Sequence, residues 1–267
     1  MTTAASTPSG RTPPTVRTEL SDAVAHVLLD RPDDMNRFAG SMREELLDAL
    51  RAATSDPTVG CVVLRGAGDH FCAGAELGSM LDLQAADDAE EIRRRVELGG
   101  EVVALLRNAP IPVLAALDGV VAGAGAGLAL AADVRIGTTR CRMVQAFVRL
   151  GLVPDWGSFH SLVHAVGVGN ASEILLTGRA VGAERMLELG LLQRLVEPDA
   201  LLEEVSALAV QLASLPRPAV AAVKQGVRLA AGGASTQDLL AFEAQAQGEL
   251  FLTPECRAAL GAFTPRS

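Results

Sequence analysis

Leu117-Asp118-Gly119-Val120-Val121-Ala122-Gly123-Ala124-Gly125-Ala126-Gly127 is the stretch on which the reading of this chain turns. It follows an apolar run, Ile111–Ala116, that reads as a strand, and the Ala-rich segment after Gly125 reads as a buried helix ended by Asp133. A second stretch, Gly68-Asp69-His70-Phe71-Cys72-Ala73-Gly74-Ala75-Glu76-Leu77, leaves the β-branched strand predicted at Cys61–Arg65 in the same way. Small side chains let a ligand approach the backbone, and glycine permits positive φ. The N–H groups that open a helix have no intrahelical acceptor, and the helix dipole favours negative charge there. Two N–H groups aimed at one point make an oxyanion hole, worth about 3–4 kcal/mol per donor in a dry site. Taken singly, each stretch reads equally as a tight turn with close helix–strand contact. A dinucleotide-binding turn is a poor match for 117–127. The stretch lies mid-chain, and no acidic residue ends a following strand about 20 residues on.

Strands and helices alternate outward from these turns. Val24–Leu29 reads as a short strand ending at Asp30-Arg31-Pro32. Ser41, with Glu44 three residues on, predicts a capping box that opens a helix over Met42–Ala53. One charged helix is expected from about Asp87 to Arg107, and a strand at Val134–Gly137. Helices follow at about Ser158–Val166, Ala171–Thr177, Ala183–Leu189 and Leu201–Ser214. Ala219–Leu229 and Asp238–Phe251 are helical and have no strand partner. The pattern predicts an α/β core with a helical C-terminal extension. That extension is too apolar to stand in water alone, so it covers the core or a neighbouring subunit.

Composition narrows the function. At 267 residues, 49% of them hydrophobic, the chain can bury a large core in one domain or two small ones. A net charge of −9 argues against nucleic acid as a partner, because tracking phosphates needs clustered Lys and Arg. Cys61, Cys72, Cys141 and Cys256 have no paired spacing and read as small buried residues of a reducing compartment. Met1–Thr15 is rich in Thr, Ser, Pro and Gly and reads as a disordered leader without a signal peptide. No apolar run reaches the ~20 residues of a membrane helix; Ala115–Ala132 comes nearest and is broken by Asp118 and glycines. A cytoplasmic protein with no membrane partner is expected.

A third stretch, Leu150-Gly151-Leu152-Val153-Pro154-Asp155-Trp156-Gly157, completes a pattern. In this order the three resemble the enoyl-CoA hydratase/isomerase (crotonase) superfamily, from about Val24 to the C-terminus. Leu29-Asp30-Arg31-Pro32 before Asn36, Leu175-Leu176-Thr177-Gly178, Ala183-Glu184 and Leu189-Gly190-Leu191-Leu192 through Val196 belong to the same resemblance. It implies an α/β crotonase (ClpP/crotonase-like) spiral of ββα units over 16–200, after a leader at 1–15. Residues 201–267 would be a helical trimerisation region of the same domain. The implied partner is an acyl-CoA thioester. Coenzyme A is then part of the substrate, with no separate cofactor and no metal. A homotrimer is implied, with pairing into a dimer of trimers left open. The family's oxyanion donors fall on the N–H groups of Ala75 and Ala124. Contacts to the acyl-CoA fall on Ala73, Gly74, Glu76, Leu77, Gly123 and Trp156, with Phe263 and Arg266 reaching across from a neighbour's last helix.

The resemblance breaks where hydration chemistry sits. Hydratases of the family use two carboxylates, one activating water and one handling the α-carbon proton. The matching positions here are Gly127 and Phe147, so hydration by that route is not expected. Asp155 offers a replacement, because similar isomerases use an aspartate in this turn and benzoyl-CoA dehalogenases use one as a nucleophile. Trp156 beside it can dry the pocket and raise the carboxyl pKa. Asp155 reads equally as the N-cap of the helix starting near Ser158. Glu76, Glu97, Glu101 and the glutamates of the 87–95 run are fallback acid/base residues. That run otherwise reads as an exposed helix with i,i+4 charge pairs. His160 and His164 share a helix face but lack a third metal ligand.

Three readings remain: an isomerase in which Asp155 shuttles a proton, a non-catalytic acyl-CoA-binding protein, and a hydrolase or dehalogenase with Asp155 as nucleophile. The last ranks lowest, because residues 87–100 hold no histidine to activate water. The Ala-rich, His-free lining suggests an apolar acyl group.

Overall fold

The structure, a computed structural model, describes residues 14–263. In chain order the elements are β1 Val16–Ser21, β2 Val24–Leu29, α1 Met42–Ser55, β3 Cys61–Gly66, α2 Leu77–Ala85, α3 Ala89–Asn108, β4 Val113–Leu117, β5 Val120–Ala122 and α4 Ala124–Leu130. They continue with β6 Val134–Thr138, β7 Arg142–Val144, α5 Ser158–Thr177, β8 Ala180–Gly182, α6 Ala183–Glu188, β9 Arg194–Val196, α7 Leu201–Ala213, α8 Arg217–Ala231, α9 Thr236–Phe251 and α10 Pro254–Phe263.

A six-stranded sheet runs in the order β1-β2-β3-β4-β6-β9, parallel throughout except for the β1–β2 hairpin. Its central strands are buried on both faces, which is why they read as continuous apolar runs. One face of β2–β4 (Ala25, Val27, Val62, Leu64, Val113, Ala115, Leu117) joins a core with Leu46 and Leu50 of α1 and Val102 and Leu106 of α3. The alternate residues Val24, Cys61, Val63, Leu114 and Ala116 pack on Leu201, Val205 and Ala209 of α7. The chain leaves β4 to place β5 in a second, three-stranded sheet (β5-β7-β8) before entering α4, and from β6 it places β7 there in turn. Repeated steps of this kind make the spiral of ββα units.

Several local expectations are corrected. The charged helix expected at 87–107 is α3, capped by Asp88, which accepts a hydrogen bond from the Glu91 N–H (2.9 Å), and a further helix that was not expected, α2, precedes it. None of α2 is buried, so it has no apolar stripe to read. The capping box at Ser41 does not form. The Ser41 hydroxyl donates to Glu45 Oε1 (2.7 Å) instead, and Glu45 Oε2 accepts from the N–H groups of Thr15 and Val16. Thr15, the last residue of the expected leader, is thereby held against α1; residues 1–13 lie outside the described part. Strands β1, β5 and β7–β9 carry too few residues, or too little alternation, to show a period. The two helices expected between Ser158 and Thr177 are both present, as the two halves of α5 either side of a kink at Gly167, whose φ is +74°.

Lys224 ties α8 to this core. Its ammonium donates to Asp133 Oδ2 (2.6 Å) and to the Ile111 carbonyl (2.9 Å), and Asp133 also accepts the Val113 N–H (2.8 Å). Removing one member of a buried pair costs about 3–5 kcal/mol. The Asp133 side chain is 32% exposed, which favours the lower end. Lys224→Ala is expected to reduce the unfolding free energy by about 3 kcal/mol in chemical denaturation; a loss within error would show that α8 is not anchored this way.

Candidate functional site

The loops after β3 and β4 are pinned against each other. Phe38 donates its N–H to the Gly74 carbonyl (2.8 Å), Glu76 donates to the Phe38 carbonyl (3.1 Å), and Ala73 donates to Met35 (2.9 Å). Cys72 and the 120–122 segment exchange two further bonds, Cys72 N–H to Val120 and Ala122 N–H to Cys72. Gly74 and Gly123 meet at the centre, with φ of +89° and +51°. A β-carbon on Gly74 would lie 2.9 Å from the Ala122 carbonyl oxygen, and one on Gly125 within 2.8 Å of Cys72. Such distances exclude a side chain at either glycine. An alanine follows each of the two central glycines. Among the described residues neither the Ala75 nor the Ala124 N–H has an acceptor. Two unpaired donors from touching loops are what holding one oxygen that gains negative charge would require.

Behind α4 lies Trp156, 2% exposed and at φ +48°. A β-carbon on Gly127 would stand 2.4 Å from the Trp156 β-carbon, and one on Gly99 of α3 would stand 2.3 Å from the indole nitrogen. The indole also stacks on Phe38, ring centres 4.8 Å apart. The indole occupies the volume that a side chain at Gly99 would need, whereas a side chain at Gly127 would meet the β-carbon and backbone carbonyl of residue 156. Phe147 lies beside Gly123, its ring 3.7 Å from where a β-carbon would be.

Asp155 does not cap α5. The helix starts after Gly157, and no side chain accepts a hydrogen bond at its N-cap. Asp155 Oδ1 is fully buried without a hydrogen-bond partner. Burial pushes its carboxyl up to about 6, against the opposing pull of the Arg43 cation. Arg43 went unread in the sequence. It is 6% exposed, lies on the buried face of α1, and holds its guanidinium over the Phe38 ring at 5.3 Å. The signal was legible: a cation at the i−3, i−4 and i−7 positions of Leu46, Leu47 and Leu50 sits on an apolar stripe.

The remaining expected residues divide. Glu76 pairs with Arg31 (3.4 Å), Glu101 with Arg51 (3.0 Å), and Glu97 is exposed. Leu77 is exposed at the start of α2. Phe263 ends α10, while its side chain and Arg266 lie outside what the structure describes. His160 and His164 are neighbours with ring centres 4.2 Å apart, and Arg107 Nη1 is 2.8 Å from His160 Nδ1. No cluster of three or more metal-ligating side chains occurs among the described residues. Burial pushes the thiols of Cys61, Cys72 and Cys141 up to about 12. A cleft of about 640 Å³ lies elsewhere, between α8 and the core, lined by Leu130, His160, His164, Val223 and Lys224 among others.

A family model described as enoyl-CoA hydratase/isomerase matches residues 19–266. The chain belongs to the enoyl-CoA hydratase/isomerase family. A Rhodobacter capsulatus protein named "Probable enoyl-CoA hydratase" is 38% identical over 93% of this chain and 94% of its own. A trans-2-decenoyl-[acyl-carrier-protein] isomerase of Streptococcus mutans is 32% identical over 92% of this chain and 94% of its own. The crystal structure of an enoyl-CoA hydratase from Bacillus anthracis superposes with a TM-score of 0.88 at 27% identity, covering 93% of this chain and 95% of that one. The chain is thus a hydratase/isomerase-family acyl-CoA enzyme on a crotonase fold.

Within this family member, the β-carbon and backbone carbonyl of residue 156 make position 127 intolerant of any side chain. Gly127→Ala is expected to cost about 1–3 kcal/mol by overpacking, read as a lowered thermal midpoint. An unchanged midpoint would mean the backbone at residue 156 moves aside freely.

Proposed function

We propose that this enzyme isomerises the double bond of an unsaturated acyl-CoA, with Asp155 as its single acid/base. The carrying observation is the Asp155 carboxyl, whose Oδ1 is buried without a partner and which burial raises towards neutral pH. The N–H groups of Ala75 and Ala124 would hold the thioester oxygen. Asp155 would take a proton from C2 of a 3-enoyl thioester, leaving charge delocalised from the oxygen to C4. The same carboxyl would return the proton to C4, moving the double bond to C2–C3. Gly127 and Phe147 cannot accept a proton, which counts against hydration by a carboxylate pair, and the isomerase among the relatives fits the same reading. Ala73, Gly74, Glu76, Leu77 and Gly123 would cradle coenzyme A, with Phe263 and Arg266 supplied by a neighbour.

A homotrimer would be the working form. Its support is physical: Val223, Val227, Leu240, Phe251, Leu252 and Leu260 of the C-terminal region are each at least half exposed, and the apolar cleft beneath α8 adds to them.

The test is turnover of 3-enoyl- and 2-enoyl-CoA esters in deuterated water by mass spectrometry. Wild type is expected to move the double bond and incorporate deuterium, and Asp155→Asn to lose at least about 100-fold of that rate. As a base, Asp155 must be ionised, so the rate should fall as pH drops through about 6 and stay level above it. Binding without turnover in wild type would instead favour a non-catalytic acyl-CoA-binding protein.

A further inference from the structure

One residue joins the first donor loop to the turn that carries Asp155. Phe38 is fully buried, and its backbone forms a parallel bridge with Ala75. The Phe38 N–H donates to the Gly74 carbonyl (2.8 Å), and the Phe38 carbonyl accepts from the Glu76 N–H (3.1 Å). The Gly74 carbonyl and the Ala75 N–H belong to one trans peptide plane and point opposite ways. Holding that carbonyl therefore aims the Ala75 N–H away from Phe38 without using it.

The ring of the same residue faces the other half of the chemistry. It stacks on the Trp156 indole, with centres 4.8 Å apart and planes 28° apart, and the Arg43 guanidinium lies over it at 5.3 Å. Trp156 needs a hold of this kind. Its φ of +48° is a left-handed conformation that a bulky residue keeps only where packing imposes it. The indole is packed from two elements: Phe38 stacks on it, and Gly99 of α3 admits its nitrogen edge, 2.3 Å from where a β-carbon would stand. Asp155 is the preceding residue, and Arg43 is the charged group that acts on its carboxyl.

We propose that Phe38 is a positioning residue for the isomerisation: its backbone aims the Ala75 N–H, and its ring holds Trp156, and through it Asp155, in place. The inference deepens the isomerase reading above and rests on it. It makes the oxygen-holding donor and the acid/base parts of one packed unit, so that the thioester oxygen and C2 are addressed at a fixed separation. A leucine at 38 keeps the backbone bonds and an apolar side chain, but offers no flat face to the indole. The indole then has room to move, and water reaches Asp155.

The test is the pH–rate profile of Phe38→Leu against wild type, on whichever 3-enoyl-CoA ester wild type turns over fastest. Emission from Trp156, the only tryptophan in the chain, reports directly on the stack. Phe38→Leu is expected to lose roughly tenfold to a hundredfold in kcat, with KM within about threefold of wild type. A wetter carboxyl has a lower pKa, so the acid limb, near pH 6 in wild type, is expected to move down. Trp156 emission is expected to shift to longer wavelength. A folded Phe38→Leu with unchanged kcat and acid limb, or with a change in KM alone, would overturn the positioning role. Gly99→Ala presses on the indole from α3 and leaves Phe38 unchanged. It is expected to move the acid limb the same way, and it decides the matter if Phe38→Leu does not fold; an unmoved limb there would overturn the link through Trp156. No turnover of any ester by wild type would overturn the isomerase reading, and this inference with it.

Discussion

The close approach of Gly74 and Gly123 is the constraint to which the other features of the site answer. A β-carbon on Gly74 would lie 3.6 Å from the Gly123 α-carbon, so two backbone segments touch where most proteins place side chains. The fold permits this because β3 and β4 are adjacent and parallel, and both loops leave from their carboxyl ends. Ligands of open α/β sheets bind at such ends. The bonds from Phe38, Met35 and Cys72 fix each loop from behind, leaving the N–H groups of Ala75 and Ala124 as the unpaired donors on the near side.

Beside these donors one buried aromatic residue shapes the surroundings. Gly99 leaves room for the Trp156 indole, and Gly127 leaves room for the backbone and β-carbon of the same residue. Its burial also helps dry the surroundings of Asp155, whose carboxyl rises accordingly. Arg43 works against the rise and keeps the ionised form within reach of neutral pH.

The sequence disclosed the frame of this arrangement more readily than its interior. Strands at Val24–Leu29 and Cys61–Arg65 were legible because both faces are buried and β-branched residues crowd there. The two glycine turns were legible because positive φ and close backbone contact leave few other choices. Short strands such as Ala180–Gly182 have no period to show. Helix α2 has no buried face, and Ser41 satisfies Glu45 rather than a helix N–H. Whether Asp155 caps α5 could be settled only by the backbone, which gives the cap to Gly157. Arg43 was missed because a cation on an apolar stripe was passed over, and Gly99 because its partner is 57 residues away in the chain.

The most direct test of the central claim is the infrared carbonyl stretch of a ¹³C-labelled acyl-CoA thioester, free and bound. If the Ala75 and Ala124 N–H groups both hold its oxygen, the bound carbonyl is polarised and its band moves to lower frequency than in water. A bound thioester whose band stays at the solution frequency, or rises above it, would contradict the account.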